Sequence, residues 1–231
     1  MTAIVREERI GNQRLLLGNC LEIMGELGRF DACVSDPPYG IQDMVGGYGR
    51  GGRTIHNDKD TVAYREMLSL AYMLTDVCLS FYSARNTPDI MNAIPLGWYV
   101  GEIIWDKKAP GMGRGIRYQH ENIAVMLKND ANLVGDTFSV LSFYRNADLH
   151  PHQKPIELMM KLLTMVGSNV VDPFMGSGST IVACEKMGYS GTGIELDPQH
   201  FETACRRVDE ASRQADMFIQ PEPKPTQEAL F

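Results

Sequence analysis

A strand, a glycine-rich turn and a helix start follow one another in Val170-Val171-Asp172-Pro173-Phe174-Met175-Gly176-Ser177-Gly178-Ser179-Thr180. Glycines allow the backbone to approach a ligand closely, and the N-terminus of the following helix favours an anionic group. The next predicted strand ends in Gly193-Ile194-Glu195, where a carboxylate can bind the two hydroxyls of a nucleotide ribose. Together these features predict a nucleoside-cofactor site. The alternative for Glu195 is a solvated strand end.

Strands and helices are predicted to alternate along the whole chain. This alternation predicts one α/β domain with a mainly parallel sheet, over residues 1–214. Residues 215–231 contain Pro221, Pro223 and Pro225, which predicts a flexible, extended tail. The predicted strands are 13–18, 30–35, 77–82, 99–105, 123–127, 138–144, 169–172 and 190–195, and the predicted helices are 21–27, 60–76, 88–94, 156–166, 180–187 and 198–211.

Composition argues against several classes of protein. The five cysteines form no CxxC pair and no cluster with histidine at zinc spacing, so they are typical of reduced thiols in a cytoplasm and no metal site is expected. Neither a signal peptide nor an apolar run long enough to span a bilayer is recognisable. The net charge of −7 is unfavourable for binding DNA, although basic residues cluster locally.

The predicted strand 30–35 ends at Ser35-Asp36-Pro37-Pro38-Tyr39-Gly40. Two consecutive prolines cannot continue a central strand, and doubly wound sheets bind ligands at the carboxyl ends of their strands. The Asp36 carboxylate and the Pro37 carbonyl can both accept N–H bonds from an exocyclic amine of a base, which frees the nitrogen lone pair to attack a sulfonium methyl group. Pro38 stiffens this turn, and Tyr39 offers an aromatic face to a base rotated out of a duplex. The alternative is a turn in which Asp36 is only a cap.

Two loops are predicted to contact DNA phosphates. Both combine glycines with basic residues, and the second also contains aromatic residues. A solvated loop is an equal alternative for the second segment. The basic residues are Arg50 and Arg53 in the loop 40–59, and Lys107, Lys108, Arg114 and Arg117 in the loop 106–120.

Taken together, these motifs resemble the β class of DNA amino-methyltransferases, which includes N6-adenine and N4-cytosine enzymes. The tetrapeptide Asp36–Tyr39 matches the catalytic motif of the class and precedes the cofactor glycine motif at Phe174–Gly178, as it does in that class. Further resemblances are found at 105–128, at His150–Pro155 and at Gly18–Glu22, so the likeness covers residues 13–210.

The resemblance implies a Rossmann-like methyltransferase fold with helices on both faces of the sheet, S-adenosyl-L-methionine as cofactor and double-stranded DNA as substrate. Aspartate in the first position of the tetrapeptide resembles the adenine-N6 enzymes, whereas cytosine-N4 enzymes usually have serine; cytosine N4 is the alternative. The implied catalytic residues are Asp36, Pro37, Pro38 and Tyr39, and the implied cofactor-binding residues are Asn19, Cys20, Asp36, His152, Lys154, Asp172, Phe174, Gly176, Ser177, Gly178, Ser179, Thr180, Glu195 and Leu196.

Two departures from the family pattern affect these expectations. Asn19 replaces the usual aspartate beside the cofactor adenine. The segment 129–149 is too short for a separate target-recognition domain, so sequence reading is expected to be shared by the two loops and a second subunit of a homodimer. A role in restriction-modification is typical of the class.

Other functions remain open from the sequence. RNA or a protein glutamine are alternative acceptors, and a non-catalytic DNA-binding or clamp-associated module is a third hypothesis. The segment Gln227-Glu228-Ala229-Leu230-Phe231 resembles the peptide that binds the bacterial replication sliding clamp, since a glutamine and two apolar anchors suit a surface groove. A disordered tail is its alternative.

Overall fold

The computed structural model describes residues 3–37, 61–84, 87–110, 116–128, 130–144 and 153–216. The strands are β1 (Ile4–Ile10), β2 (Gln13–Gly18), β3 (Ala32–Ser35), β4 (Val77–Tyr82), β5 (Trp98–Asp106), β6 (His120–Lys128), β7 (Val140–Ser142), β8 (Asn169–Asp172) and β9 (Ser190–Glu195). The helices are α1 (Cys20–Ile23), α2 (Thr61–Leu74), α3 (Thr87–Ala93), α4 (Ile156–Leu163), α5 (Ser179–Met187) and α6 (Pro198–Asp216).

Within these residues, one sheet has the order β1-β2-β9-β8-β3-β4-β6-β5-β7. Five neighbouring strands are parallel to one another, in the order β2, β9, β8, β3 and β4. Strand β7 also pairs in parallel with β5. The pairs β1–β2, β4–β6 and β5–β6 are antiparallel. The prediction of a mainly parallel sheet is therefore confirmed.

Side chains of the central strands are apolar on both faces, as expected for parallel strands covered by helices. Cys33 and Cys78 belong to a core cluster with residues of α1, α2 and α3. Their neighbours Ala32 and Leu79 belong to a second cluster with α4 and α5. A third cluster joins β2 to α5 and α6, with Phe201 fully buried. Helices therefore cover both faces of the sheet, and the Rossmann-like fold is confirmed.

Most predicted elements are confirmed to within a few residues, but strand β1 was missed. Its sequence alternates weakly and contains four charged residues, Arg6-Glu7-Glu8-Arg9. β1 lies at the edge of the sheet and is more exposed than the central strands, so charged side chains are tolerated there and protect the edge from pairing with other chains. An ion pair between Arg14 and Glu7 joins β2 to β1.

Several predicted residues lie outside the described residues. These are Pro38, Tyr39, Arg50, Arg53, Arg114 and His152, the whole 40–59 loop, and the tail that contains Gln227–Phe231. The catalytic, cofactor-binding, DNA-binding and clamp-binding roles predicted for these residues stay predictions. Among the helices that are described, none is both long enough and apolar enough to cross a membrane.

Candidate active site

Four neighbouring strands bring the predicted site residues to one edge of the sheet. β2, β9, β8 and β3 are adjacent and parallel, so their carboxyl ends share an edge. These ends lead into Asn19, Glu195, Asp172 and Asp36, respectively. This edge is where open α/β sheets bind ligands.

The glycine turn after β8 is organised by Asp172. This buried carboxylate accepts a hydrogen bond from the Phe174 N–H at 3.1 Å and another from the Thr180 hydroxyl at 2.5 Å. Burial raises the pKa of Asp172 to about 7, although these two bonds partly oppose the shift. Asp172 therefore ties the start of the turn to the first residues of α5.

The two glycines of the turn have left-handed backbone conformations. Gly176 has φ +54° and Gly178 has φ +82°. A Cβ atom at Gly178 would lie 2.9 Å from the Ala204 Cβ, so this glycine also allows α6 to pack against the turn. Arg207 of α6 donates hydrogen bonds to the carbonyl and the hydroxyl oxygen of Ser177, and so fixes the turn from the same side.

Glu195 contacts the glycine turn directly. Its Oε2 atom accepts a hydrogen bond from the Gly176 N–H at 2.8 Å, and its Oε1 atom accepts one from the Asp197 N–H at 2.7 Å. Burial raises the pKa of Glu195, and the backbone N–H bonds limit the rise. A carboxylate has about four acceptor positions, so these two bonds leave capacity for ribose hydroxyls. Leu196, the next residue, is exposed at this edge.

Asn19 and Cys20 begin helix α1 beside the same edge. The Asn19 side chain accepts a hydrogen bond from the Leu21 N–H at 3.1 Å and donates one to Glu22, so it acts as an N-cap. Cys20 is buried in the apolar cluster, and burial raises the pKa of its thiol to about 12. Their roles in cofactor binding stay predictions.

Asp36 is held by an ion pair that the sequence did not indicate. The Lys154 Nζ lies 2.5 Å from the Asp36 Oδ2 and 3.3 Å from the Glu121 Oε2. Lys154 also lies over the ring of Phe81, 4.9 Å from its centroid. Glu121, in β6, had no sequence signal of its own, because its contact with Lys154 joins distant parts of the chain.

The described basic residues of the 106–120 segment differ in exposure. The Lys107 side chain is only 12% exposed and lies 3.2 Å from Glu121, which favours an internal role. Lys108 and Arg117 are exposed. The DNA contacts predicted for all three stay predictions.

Asp106 connects the two ends of the 106–120 segment through hydrogen bonds. It accepts hydrogen bonds from the Gln119 side chain at 2.8 Å and from the Lys108 N–H at 2.9 Å. Its main-chain carbonyl accepts a bond from the Phe143 N–H. The bond from Gln119, followed by that from Lys108, lowers the pKa of Asp106 to about 2.

Comparison with known proteins shows what the chain is similar to. The family model described as "DNA methylase", for N6 and N4 methyltransferases, matches residues 134–206, which include Lys154, the glycine turn and Glu195. Over these residues the chain is similar to DNA amino-methyltransferases. YubD of Escherichia coli (strain K12), which bears the name of a putative methylase, is 28% identical over 84% of this chain and 89% of its own. The type II methyltransferase M.HpaI of Haemophilus parainfluenzae is 22% identical over 86% of this chain and 74% of its own.

Solved structures of other methyltransferases have the same fold. M1.HpyAVI, also solved as a complex with SAM, matches with a TM-score of 0.66 and 24% identity, over 85% of this chain and 99% of its own in that complex. The cytosine-N4-specific PvuII DNA methyltransferase matches with a TM-score of 0.72 and 11% identity, over 91% of this chain and 95% of its own.

Proposed function

We propose that the chain is an S-adenosyl-L-methionine-dependent DNA methyltransferase that methylates the exocyclic N6 of adenine in double-stranded DNA. The observation that carries the proposal is the position of Asp36. Asp36 follows β3, and the glycine turn with the Gly176–Glu195 pair follows the adjacent strand β8 at the same edge. A carboxylate that can accept hydrogen bonds from an amine therefore lies beside the proposed nucleoside site. The similarity to DNA methyltransferases supports the same conclusion.

The residues of this edge fit the cofactor. Glu195 offers carboxylate oxygens to ribose hydroxyls, and the positive φ angles of Gly176 and Gly178 form a turn that brings backbone close to a ligand. S-adenosyl-L-methionine, when bound, supplies an electrophilic methyl group on a sulfonium sulfur. The further cofactor contacts are those predicted from the sequence, including Asn19 and Leu196.

Asp36 and Pro37 act on the acceptor. The Asp36 carboxylate and the Pro37 carbonyl accept N–H bonds from the amine, which raises electron density on the nitrogen. Methyl transfer would form one N–C bond while the bond between the methyl group and the sulfonium sulfur breaks, with its electron pair staying on the sulfur. The amine would lose one proton, and Asp36 is the carboxylate positioned to accept it. Tyr39 provides the stacking surface for a base flipped out of the duplex.

Cytosine N4 is the second candidate acceptor. Its amine is also conjugated with the ring and needs the same acceptor groups. The fold similarity to a cytosine-N4-specific enzyme favours keeping this candidate. The aspartate in position 36, in place of the serine typical of cytosine-N4 enzymes, favours adenine.

The test is product analysis of methylated DNA. Genomic DNA incubated with the protein and labelled cofactor should contain N6-methyladenine, detected by mass spectrometry of nucleosides and located by single-molecule sequencing. Asp36→Ala should lower the rate by at least roughly 1000-fold and leave cofactor binding largely intact, whereas Asp130→Ala, an exposed control, should have no effect. N4-methylcytosine as the product would replace adenine by cytosine, and absence of any methylated base would overturn the proposal.

We also propose two binding partners, a second copy of the chain and the replication sliding clamp. A homodimer would share target recognition between subunits, and light scattering of the purified protein should give twice the chain mass. Deletion of residues 227–231 should abolish binding to the replication sliding clamp; unchanged binding would contradict that role for the segment.

A further inference from the structure

Four side chains of alternating charge form a row that ends at Asp36. Lys107 lies 3.2 Å from Glu121, Glu121 lies 3.3 Å from Lys154, and Lys154 lies 2.5 Å from Asp36. They come from the end of β5, from β6, from the segment before α4 and from the end of β3. The row therefore connects the antiparallel half of the sheet to the proposed catalytic edge.

The row is largely shielded from solvent. The side chain of Lys154 is 9% exposed, that of Glu121 is 22% exposed and that of Asp36 is 28% exposed. Buried charges are costly unless they are paired. Burial alone would lower the pKa of Lys154, but Asp36 and Glu121 outweigh it and raise the pKa. Burial would raise the pKa of Glu121, but Lys154 and Lys107 lower it, so both groups are charged near neutral pH.

The position of Lys154 restricts the Asp36 carboxylate. The ammonium group of Lys154 lies over the ring of Phe81 and contacts one carboxylate oxygen of Asp36. Glu121 contacts the same ammonium group. A carboxylate held by a cation that is itself held on a second side has little freedom to rotate. Acceptor groups that are oriented in advance contribute most to stabilising a transition state.

We propose that Lys154 and Glu121 are positioning residues, which hold Asp36 correctly oriented for the acceptor amine, with Lys107 supporting Glu121. The proposal rests on the function proposed above. It differs from the role that the family resemblance implies for Lys154, which is to bind the cofactor. The two roles predict different kinetic effects, because a positioning residue affects the turnover number and a cofactor ligand affects cofactor affinity.

Lys154→Met separates the two roles. It should lower kcat roughly 10- to 100-fold and change the cofactor Kd, measured by calorimetry, less than about 3-fold. Lys154→Arg keeps the charge and should recover most of the activity. Lys161→Met is the matched control, because Lys161 also lies over an aromatic ring but contacts the carbonyl of Asp136 instead of a carboxylate. It should leave kcat unchanged.

A double variant tests whether Lys154 acts through Asp36. Asp36→Ala and Asp36→Ala/Lys154→Met should have the same residual rate, since the lysine has nothing left to position. Independent, multiplying losses would overturn the proposal. Glu121→Gln should lower kcat roughly 3- to 10-fold. If Lys154→Met does not fold, this variant tests the positioning role instead, and an unchanged kcat would contradict it.

Failure of this inference is distinguishable from failure of the proposed function. A wild-type protein that methylates no base overturns both. An active wild type whose Lys154→Met variant keeps its kcat overturns only the positioning role. A cofactor Kd raised in proportion to the loss of activity overturns the positioning role and assigns Lys154 to the cofactor.

Discussion

The two halves of the candidate site hold their carboxylates by different means. On the glycine-turn side, Asp172 and Glu195 accept hydrogen bonds from backbone N–H groups and a hydroxyl. On the other side, Asp36 and Glu121 are held by lysines. The pKa values of Asp172 and Glu195 are raised, whereas that of Glu121 is lowered.

The difference fits two different tasks. On the glycine-turn side, neutral donors, most of them backbone N–H groups, orient the two carboxylates without placing a second charge beside them. The Asp36 carboxylate, which is proposed to accept N–H bonds from an amine, needs a fixed orientation, and its ion pair with Lys154 restricts its rotation. Substitutions on the first side should therefore act on folding and cofactor affinity, and those on the second side on turnover.

Asp172→Asn should show the largest effect on folding. The pKa of Asp172 is about 7 in the folded protein, well above the usual value of 3.8. This carboxyl therefore destabilises the fold as pH rises from about 4 to about 7, because the folded state disfavours its charged form. The asparagine variant should gain stability relative to wild type over this range, by up to about 4 kcal/mol in denaturant unfolding. A constant difference across the range would contradict the buried-carboxyl account.

Gly178→Ala should destabilise the protein by about 2–4 kcal/mol, because the left-handed backbone and the approach to Ala204 both oppose a Cβ atom. Gly188→Ala is the control. Gly188 has φ +68° but nothing within 4 Å of an added Cβ, so only the backbone cost of about 1–2 kcal/mol applies. Equal losses in the two variants would show that the packing of α6 on the turn contributes nothing.

Glu195→Gln should weaken cofactor binding roughly 10- to 100-fold, since a charged acceptor is replaced by a neutral one and one backbone N–H loses its partner. At saturating cofactor, kcat should stay within about 3-fold of wild type. Glu210→Gln, on an exposed position of α6, is the control. A reduced kcat with unchanged affinity would remove the distinction between the two halves.

Lys108→Ala with Arg117→Ala should have the smallest effect. If both exposed residues contact phosphates, the slope of log K for DNA against log salt should fall by about one per contact. Lys107→Ala should leave that slope unchanged, because Lys107 pairs with Glu121 inside the protein. Lys186→Ala is the control and should not change the slope, because Lys186 lies in the last turn of α5, at the end away from the glycine turn. A changed slope for Lys107→Ala would make it a DNA contact.

The glycine-turn half could be predicted from the sequence more fully than the other half. Asp172, Gly176 and Thr180 lie within one short segment, and Glu195 ends the following strand, so their contacts follow from local order. Asp36 was identified by its strand end. Its contact with Lys154 spans 118 residues, and no local pattern encodes such a pairing. Strand β1 was missed for a related reason, because an edge strand does not need apolar residues on both faces.

The bonds around Asp106 have a consequence for how such an enzyme can acquire new specificity. They join the two ends of the 107–119 segment independently of what lies between them. The entropic cost of lengthening a closed loop grows slowly, so insertions between these ends leave the β5–β6 register and the catalytic edge undisturbed. The segment is therefore a suitable place to graft loops from other proteins. If it contacts DNA, as the sequence predicts, variants selected there should change the DNA sequence that is read and leave the proposed catalytic edge unchanged.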